Sequence, residues 1–300
     1  GYSSSFSVAI TACSSVMGVV IPPSILMVVW GGLMSVSIGG LFLAGVVPGI
    51  LIAGSQMIAV YIFAKIYNYP IYTRSSLKEF FVAIFHAVPP IMTPLIIVGG
   101  IVGGLFTPTE ASVIAVLYSI VLGGFFYKTI GFDNLPSILY KSAKFAAMSL
   151  FCIGTASAFG WLLAYFKIPL AVVSFLEPYG IGPVSTGLIV AGSFLLIGMF
   201  IDAIPAIIIL GTVLWPLAEV SNMHPIHFAI IGVISLAFGL VTPPYGLCLL
   251  IACRLGDIEV IKALRDVGIV LCPMFLVLLI VVFFPEIILA LPKLLMAKFI

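Results

Sequence analysis

The chain reads as an all-α polytopic membrane protein built on an inverted repeat, with two discontinuous helices and a re-entrant hairpin. Three observations predict this. Charged residues make up 7% of the 300 residues and the mean hydropathy is +1.37, which leaves too little polar surface for a soluble domain. Most of the chain divides into apolar runs near the roughly 20 residues that a helix needs to cross a bilayer. Third, two Pro-Pro doublets sit in matching apolar contexts, Gly18-Val19-Val20-Ile21-Pro22-Pro23-Ser24 and Gly239-Leu240-Val241-Thr242-Pro243-Pro244-Tyr245.

The doublets carry a specific physical consequence. A proline has no N–H, so the carbonyl four residues earlier loses its helical partner. Pro22 and Pro23 free the carbonyls of Gly18 and Val19; Pro243 and Pro244 free those of Gly239 and Leu240. The residue before each doublet, Ile21 or Thr242, is pushed out of the α region. Hydrocarbon does not solvate bare carbonyls, so such backbone belongs inside protein or beside a water-filled cavity.

Taken in order, residues 6–34 form one apolar stretch broken at Pro22-Pro23, and Ser35 to Val47 suit a surface helix or turn. A span follows from about Pro48 to Ala64, then an interfacial helix from Leu77 to His86 and a span from Pro89 to Leu105. Thr107-Pro108-Thr109-Glu110 is a helix start, with Thr107 as N-cap, Pro108 at the first helical position and Glu110 closing a capping box. That helix runs to about Tyr127, and a further span ends near Tyr165. Lys167 to Pro178 is a short interfacial piece. Residues 184–220 carry Asp202 and Pro205 at their middle. A charge at the bilayer centre costs about 2.5–3.5 kcal/mol, so a hairpin with Asp202 at its tip is predicted here. His227 to Cys253 holds the second doublet; 254–266 forms an amphipathic helix, and a last span runs from about Val267 to Pro285.

Five cysteines without metal-like spacing read as free, packed thiols. His224 and His227 share a helix face, yet no further ligand completes a zinc set. The chain has no basic patch with interleaved aromatics, so nucleic acid is not an expected partner. It opens on Gly1 with no charged leader and reads as a piece of a longer protein without a signal peptide. If the 65–86, 128–144 and 254–266 loops are cytoplasmic, only Lys167, Lys293 and Lys298 of twelve Lys and Arg lie outside. The positive-inside rule selects that orientation, with seven spans, one hairpin and a C-terminus on the outer side.

A shift of 221 residues lays Gly18, Pro22 and Pro23 on Gly239, Pro243 and Pro244, and Ser14 on Ser235. In the selected orientation the first broken helix runs outward and the second inward. Inverted repeats built round broken helices mark secondary transporters. Each break points oxygen ligands at a cation and the next half-helix's N–H groups at an anion. One sodium site is expected from the carbonyls of Gly18 and Val19 beside Pro22, with the hydroxyl of Ser14 or Ser15. A second is expected from Gly239, Thr242 and Pro243 with Asp202. An organic anion is expected between the breaks, near Ser24, Tyr245, Gly246 and Asp202, because no Lys or Arg lies in a span. The expected role for the serines competes with back-bonding to their own helix, and Asp202 also suits capping of the returning helix. An intramembrane protease is disfavoured: Asp202 lacks a second carboxylate, and the histidines sit at loop edges.

These motifs also carry a family resemblance. Ala12-Cys13-Ser14-Ser15, Ile21-Pro22-Pro23-Ser24, Phe42-Leu43-Ala44-Gly45, Phe106-Thr107-Pro108-Thr109-Glu110-Ala111, Ala158-Phe159-Gly160-Trp161, Gly198-Met199-Phe200-Ile201-Asp202 and the second doublet spread over the whole chain. With them the chain resembles the large membrane subunit (DctM-type) of tripartite ATP-independent periplasmic (TRAP) transporters. The resemblance implies an elevator transporter of the bacterial inner membrane, coupled to Na⁺ and needing no other cofactor. It implies a periplasmic binding protein that delivers an organic acid, and a small four-helix membrane subunit (DctQ-type). It implies transport-domain segments at 1–47 and 184–256, scaffold and arm helices at 48–183, and an amphipathic helix with a terminal scaffold span at 257–300. The family's N-terminal scaffold helices and first hairpin are expected before Gly1. The alternative is a stand-alone sodium-coupled dicarboxylate carrier with the same repeat logic.

Overall fold

A computed structural model describes residues 2–69 and 76–296, and every element among them is helical. Arg74 and Lys298 lie outside the described residues. Backbone packing divides the chain into two compact units, 1–69 with 152–300, and 70–151. Among the described residues seven stretches are long and apolar enough to cross a membrane, and two shorter apolar helices accompany them.

In the larger unit the first broken helix is α1 (Ser4–Ser15) and α2 (Met17–Val20), a break at 21–24, then α3 (Ile25–Met34). Next comes α4 (Ile38–Ile66), a single 29-residue helix. The stretch 35–47, expected as a surface helix or turn, is helix from Ile38 onward and largely buried. Its glycines are where neighbours approach most closely: a Cβ at Gly45 would stand 2.6 Å from the Val20 carbonyl oxygen, and one at Gly49 2.5 Å from Ile21. Gln56 on the same helix is buried, and its amide donates to the Cys13 carbonyl at 2.9 Å.

The smaller unit holds α5 (Leu77–Val102), α6 (Pro108–Val121) with a π-turn at Leu122–Phe126, and the first half of α7 (Leu135–Tyr165). Here the expected interfacial helix and span are one helix that passes through Pro89, Pro90 and Pro94. A proline doublet alone does not break a helix in this protein. One of the carbonyls that the prolines strip, that of His86, takes the Tyr127 hydroxyl at 3.5 Å. His86 accordingly lies well inside a helix rather than at a loop edge. The capping box at α6 forms as expected: the Thr107 hydroxyl accepts the Glu110 N–H at 3.3 Å, and the Glu110 carboxylate accepts the Thr107 N–H at 2.8 Å.

The larger unit continues with α8 (Ile168–Leu176), the hairpin helices α9 (Pro183–Gly198) and α10 (Ala203–Val220), and the second broken helix, α11 (Pro225–Gly239) and α12 (Leu247–Leu255). It ends with α13 (Val260–Phe283) and α14 (Pro285–Leu295). The expected amphipathic helix at 254–266 is divided: Arg254 and Leu255 finish α12, and 260–266 are the first turns of α13. Trp30 of α3 is fully buried against Gly232 of α11, where an added Cβ would stand 2.4 Å from the indole. Phe194 and Phe228 flank it at 5.3 and 5.6 Å between ring centroids. Aromatic packing of this kind adds stability beyond the area it buries, and here it joins α3, α9 and α11. All five cysteines are free; Cys13 and Cys253 are buried, whereas Cys152 and Cys272 are exposed rather than packed.

Candidate functional site

At the first break the backbone does what the doublet demands. Ile21 is extended (φ −79°, ψ 126°), and its N–H closes the last turn of α2 on the Met17 carbonyl at 2.7 Å. The Pro22–Pro23 bond is cis. No donor among the described residues reaches the carbonyls of Gly18 and Val19. Ser24 restarts the chain as the N-cap of α3, its buried hydroxyl accepting the Met27 N–H at 3.4 Å. What this end has to offer a ligand is the first-turn N–H groups together with the Ser24 O–H proton, which the cap bond leaves uncommitted. Ser14 and Ser15 donate to the Thr11 and Ala12 carbonyls of their own helix, at 3.2 and 2.7 Å. Donating in this way points the hydroxyl proton back along the helix and leaves the oxygen lone pairs outward.

The second break differs in detail. Gly239 and Leu240 are not bare: the Gly239 carbonyl accepts the Thr242 N–H at 3.0 Å and the Leu240 carbonyl accepts the Cys248 N–H at 2.9 Å. The chain turns back on itself within a few residues, so one donor before the prolines and one beyond them replace those that the prolines lack. The carbonyls from Val241 to Tyr245 are left without a donor among the described residues, those of Val241 and Thr242 on the near side of the doublet. The Thr242 hydroxyl donates to the Phe238 carbonyl at 2.8 Å. Pro243–Pro244 is cis, and Gly246 restarts the helix in the left-handed region (φ 41°). Only glycine enters that region without strain; a Cβ there would also stand 3.3 Å from the Thr242 carbonyl oxygen.

The hairpin tip lies against this second break. The Tyr245 N–H donates to the Met199 carbonyl at 2.9 Å. Gly198 and Gly239 meet backbone to backbone, so that a Cβ on Gly239 would lie 2.7 Å from the Gly198 carbonyl carbon. Asp202 is exposed at the tip and caps α10, its carboxylate accepting the Ala203 N–H at 2.8 Å. That is the carboxylate's only hydrogen bond to a described residue, and its other oxygen remains free. Sequence reasoning missed Gly198 and Met199, which the hairpin's fold-back brings in, and the Val241 carbonyl, which the turn of the second break leaves bare.

The two broken helices run antiparallel. Helix α1 packs on α12 and α3 on α11, the first half of one against the second half of the other. At the far end Gly256 lies against Val8, where a Cβ would be 2.3 Å from the valine side chain. Ser235, the repeat mate of Ser14, is fully buried one turn before Gly239, and its hydroxyl has no partner among the described residues. Buried polar groups are normally paired, and the repeat alignment is the sequence signal that marks this one. The histidines are accounted for elsewhere: His224 caps α11 by accepting the Ile226 N–H, and buried His227 pairs with the Val281 carbonyl at 2.8 Å. Among the described residues no three His, Cys, Asp or Glu gather to hold a transition metal.

Comparison with known proteins agrees with this architecture. The profile of the DctM component of the tripartite ATP-independent periplasmic transporters matches residues 1–287. The sialic acid TRAP transporter large permease protein SiaM of Vibrio cholerae is 33% identical over 98% of this chain and 69% of its own length. The C4-dicarboxylate TRAP transporter large permease protein DctM of Pseudomonas aeruginosa is 34% identical over the same shares. The isethionate TRAP transporter permease protein DctMQ of Oleidesulfovibrio alaskensis is 33% identical over 96% of this chain and 45% of its own. These are transporter permeases rather than enzymes, and membership implies work with a small permease subunit and a periplasmic binding protein. Broken helices, hairpin and sequence agree, and the chain belongs to the DctM family of TRAP transporter large permeases.

Proposed function

We propose that this permease is driven by sodium and imports an organic acid anion, which a periplasmic binding protein hands to it at the outer face of the bacterial inner membrane. The observation that carries the reading is the antiparallel pair of proline-broken helices, each leaving carbonyls without donors. Hard cations take oxygen ligands, and oxygen is what both breaks offer. The first site is Gly18 and Val19 carbonyls beside Pro22, with Ser14 or Ser15 lone pairs. The second is the stretch from Gly239 to Pro243 with Thr242 and the free Asp202 oxygen; the Gly239 carbonyl contributes its second lone pair. The anion lies at the N-termini of α3 and α12, near Ser24, Tyr245 and Gly246, where unpaired N–H groups and helix dipoles favour negative charge. The relatives are named for sialic acid, C4-dicarboxylates and isethionate, which are all organic anions.

The broken helices and the hairpin travel together past the remaining helices, elevator fashion. The distribution of Lys and Arg supports a cytoplasmic 254–266 loop and a periplasmic C-terminus.

The test is uptake into proteoliposomes holding the full-length permease with its small subunit and binding protein. Asp202→Asn keeps a cap acceptor and removes the charge. It is expected to lower sodium-driven uptake by about tenfold or more. Wild-type uptake by this variant, or uptake indifferent to the sodium gradient, sinks the assignment. Full uptake without the binding protein points instead to a stand-alone carrier.

A further inference from the structure

A second feature lies away from the breaks, where α12 ends and α13 begins. Leu247, Leu250, Ile251 and Arg254 recur at helical spacing on one face of α12, while Leu249, Ala252 and Cys253 form its buried face. A stripe of that spacing is normally packed against a neighbour. Here it walls an open groove of about 750 Å³, closed on the other side by the turn through Asp257 and the start of α13. Ligand pockets commonly fall between about 300 and 1,000 Å³.

The charges at the rim sort themselves. Lys262 pairs with Glu259 at 3.6 Å, and the Ser5 hydroxyl donates to Asp266 at 2.5 Å. Arg254 and Asp257 both line the groove, and neither side chain has an ion pair or hydrogen bond to a described residue. One uncommitted cation and one uncommitted anion therefore share a groove whose remaining lining is the Lys262–Glu259 pair and apolar side chains. The charged stretch 254–266 adjoins the apolar run that starts at Val267, so the groove lies where a polar headgroup gives way to hydrocarbon.

We propose that this groove binds a zwitterionic phospholipid with a phosphoethanolamine headgroup. The guanidinium of Arg254 takes the phosphate, for which its planar fork of donors is suited. The Asp257 carboxylate accepts from the primary ammonium, and an acyl chain lies along Leu247, Leu250 and Ile251. A phosphoglycerol headgroup offers Asp257 no cation, and a phosphocholine headgroup has no N–H to donate.

The experiment is native mass spectrometry of the full-length, delipidated protein in detergent, titrated separately with palmitoyl-oleoyl phosphatidylethanolamine, phosphatidylglycerol and phosphatidylcholine. The wild type is expected to retain phosphatidylethanolamine best. Arg254→Gln keeps the apolar stem and weakens that retention about tenfold. Asp257→Asn suits a residue held at φ 48°, since Asn tolerates the left-handed region, and it abolishes the preference over phosphatidylglycerol. Lys293→Gln, remote from the groove, binds as the wild type does. Equal retention of the three lipids by the wild type, no retention at all, or unchanged binding by both groove variants overturns the proposal. The wild-type headgroup ranking and Asp257→Asn decide it even where Arg254→Gln does not fold.

Discussion

Substituting Gly239 by alanine tests the seam between hairpin tip and second break. The added methyl carbon would lie 2.7 Å from the Gly198 carbonyl carbon, 2.8 Å from its Cα and 3.0 Å from its oxygen. All three are backbone atoms, so no flexible side chain swings away. Ordinary contact begins near 3.4 Å, and the two helices must part by roughly 0.7 Å. Overpacking of this kind costs about 1–3 kcal/mol. Alanine recovers up to about 1 kcal/mol through helix propensity, less at the last helical residue. The expected net loss is about 1–2 kcal/mol, and the Tyr245 N–H to Met199 bond, already 2.9 Å, lengthens with the seam. Thermal unfolding in detergent reads the first effect, and sodium-driven uptake in proteoliposomes the second; both fall. Gly192→Ala is the control: it lies on α9, the hairpin helix that carries Gly198, with nothing within 4 Å of the added carbon, and it leaves both unchanged or raises stability slightly. Wild-type stability and uptake in Gly239→Ala, or equal damage from Gly192→Ala, would refute the reasoning.

Two further expectations follow from caps. Burial and the charge of Lys293 hold the His224 imidazole below its ordinary pKa of 6.5, and its neutral nitrogen accepts the Ile226 N–H at 3.2 Å. The unfolded chain thus takes up the proton first, so the contribution is complete above pH 6.5 and is lost as the pH falls from there toward the folded-state value. Hydrogen exchange at the first turn of α11, corrected for intrinsic rates, is expected to lose protection on acidification in the wild type and not in His224→Asn; identical profiles would count against the cap. Thr107→Ala removes one half of the capping box at α6 and is expected to cost about 1 kcal/mol, seen as faster exchange at amides 109–111 with little change in α5.

Much of this was legible in the sequence because it rests on local chemistry. A proline pair without N–H groups stops a helix wherever flanking backbone has somewhere else to go, and both breaks fall where the doublets put them. Thr107 with Glu110, and Asp202 before α10, were readable because a cap is written within four residues. Long-range packing was not. Ser35 to Val47 reads as a surface helix or turn because the stretch is short and glycine-rich; in the fold it is the buried start of α4, and Gly45 lets that helix approach the first break. Pro89-Pro90 shows the converse, a doublet that helix α5 absorbs with help from a tyrosine thirty-odd residues away. At the second break the sequence located the prolines but not the free carbonyls, because the Cys248 N–H reaches back across the turn to Leu240.

The antiparallel crossing of the broken helices has an electrostatic consequence of its own. Each break exposes a helix C-terminus and a helix N-terminus, equivalent to about −0.5 and +0.5 elementary charge. Two ends of each sign thus belong to the two oppositely directed breaks, and α2, which carries one C-terminal end, packs on α11, which carries the other. The sum is a quadrupole without net charge, whose field decays steeply and attracts neither a lone cation nor a lone anion from a distance. A salt pair arriving together finds a partner end for each sign. Under the proposed sodium coupling, the requirement for both ions would thus be met first by the backbone, with side chains such as Asp202 adjusting its balance.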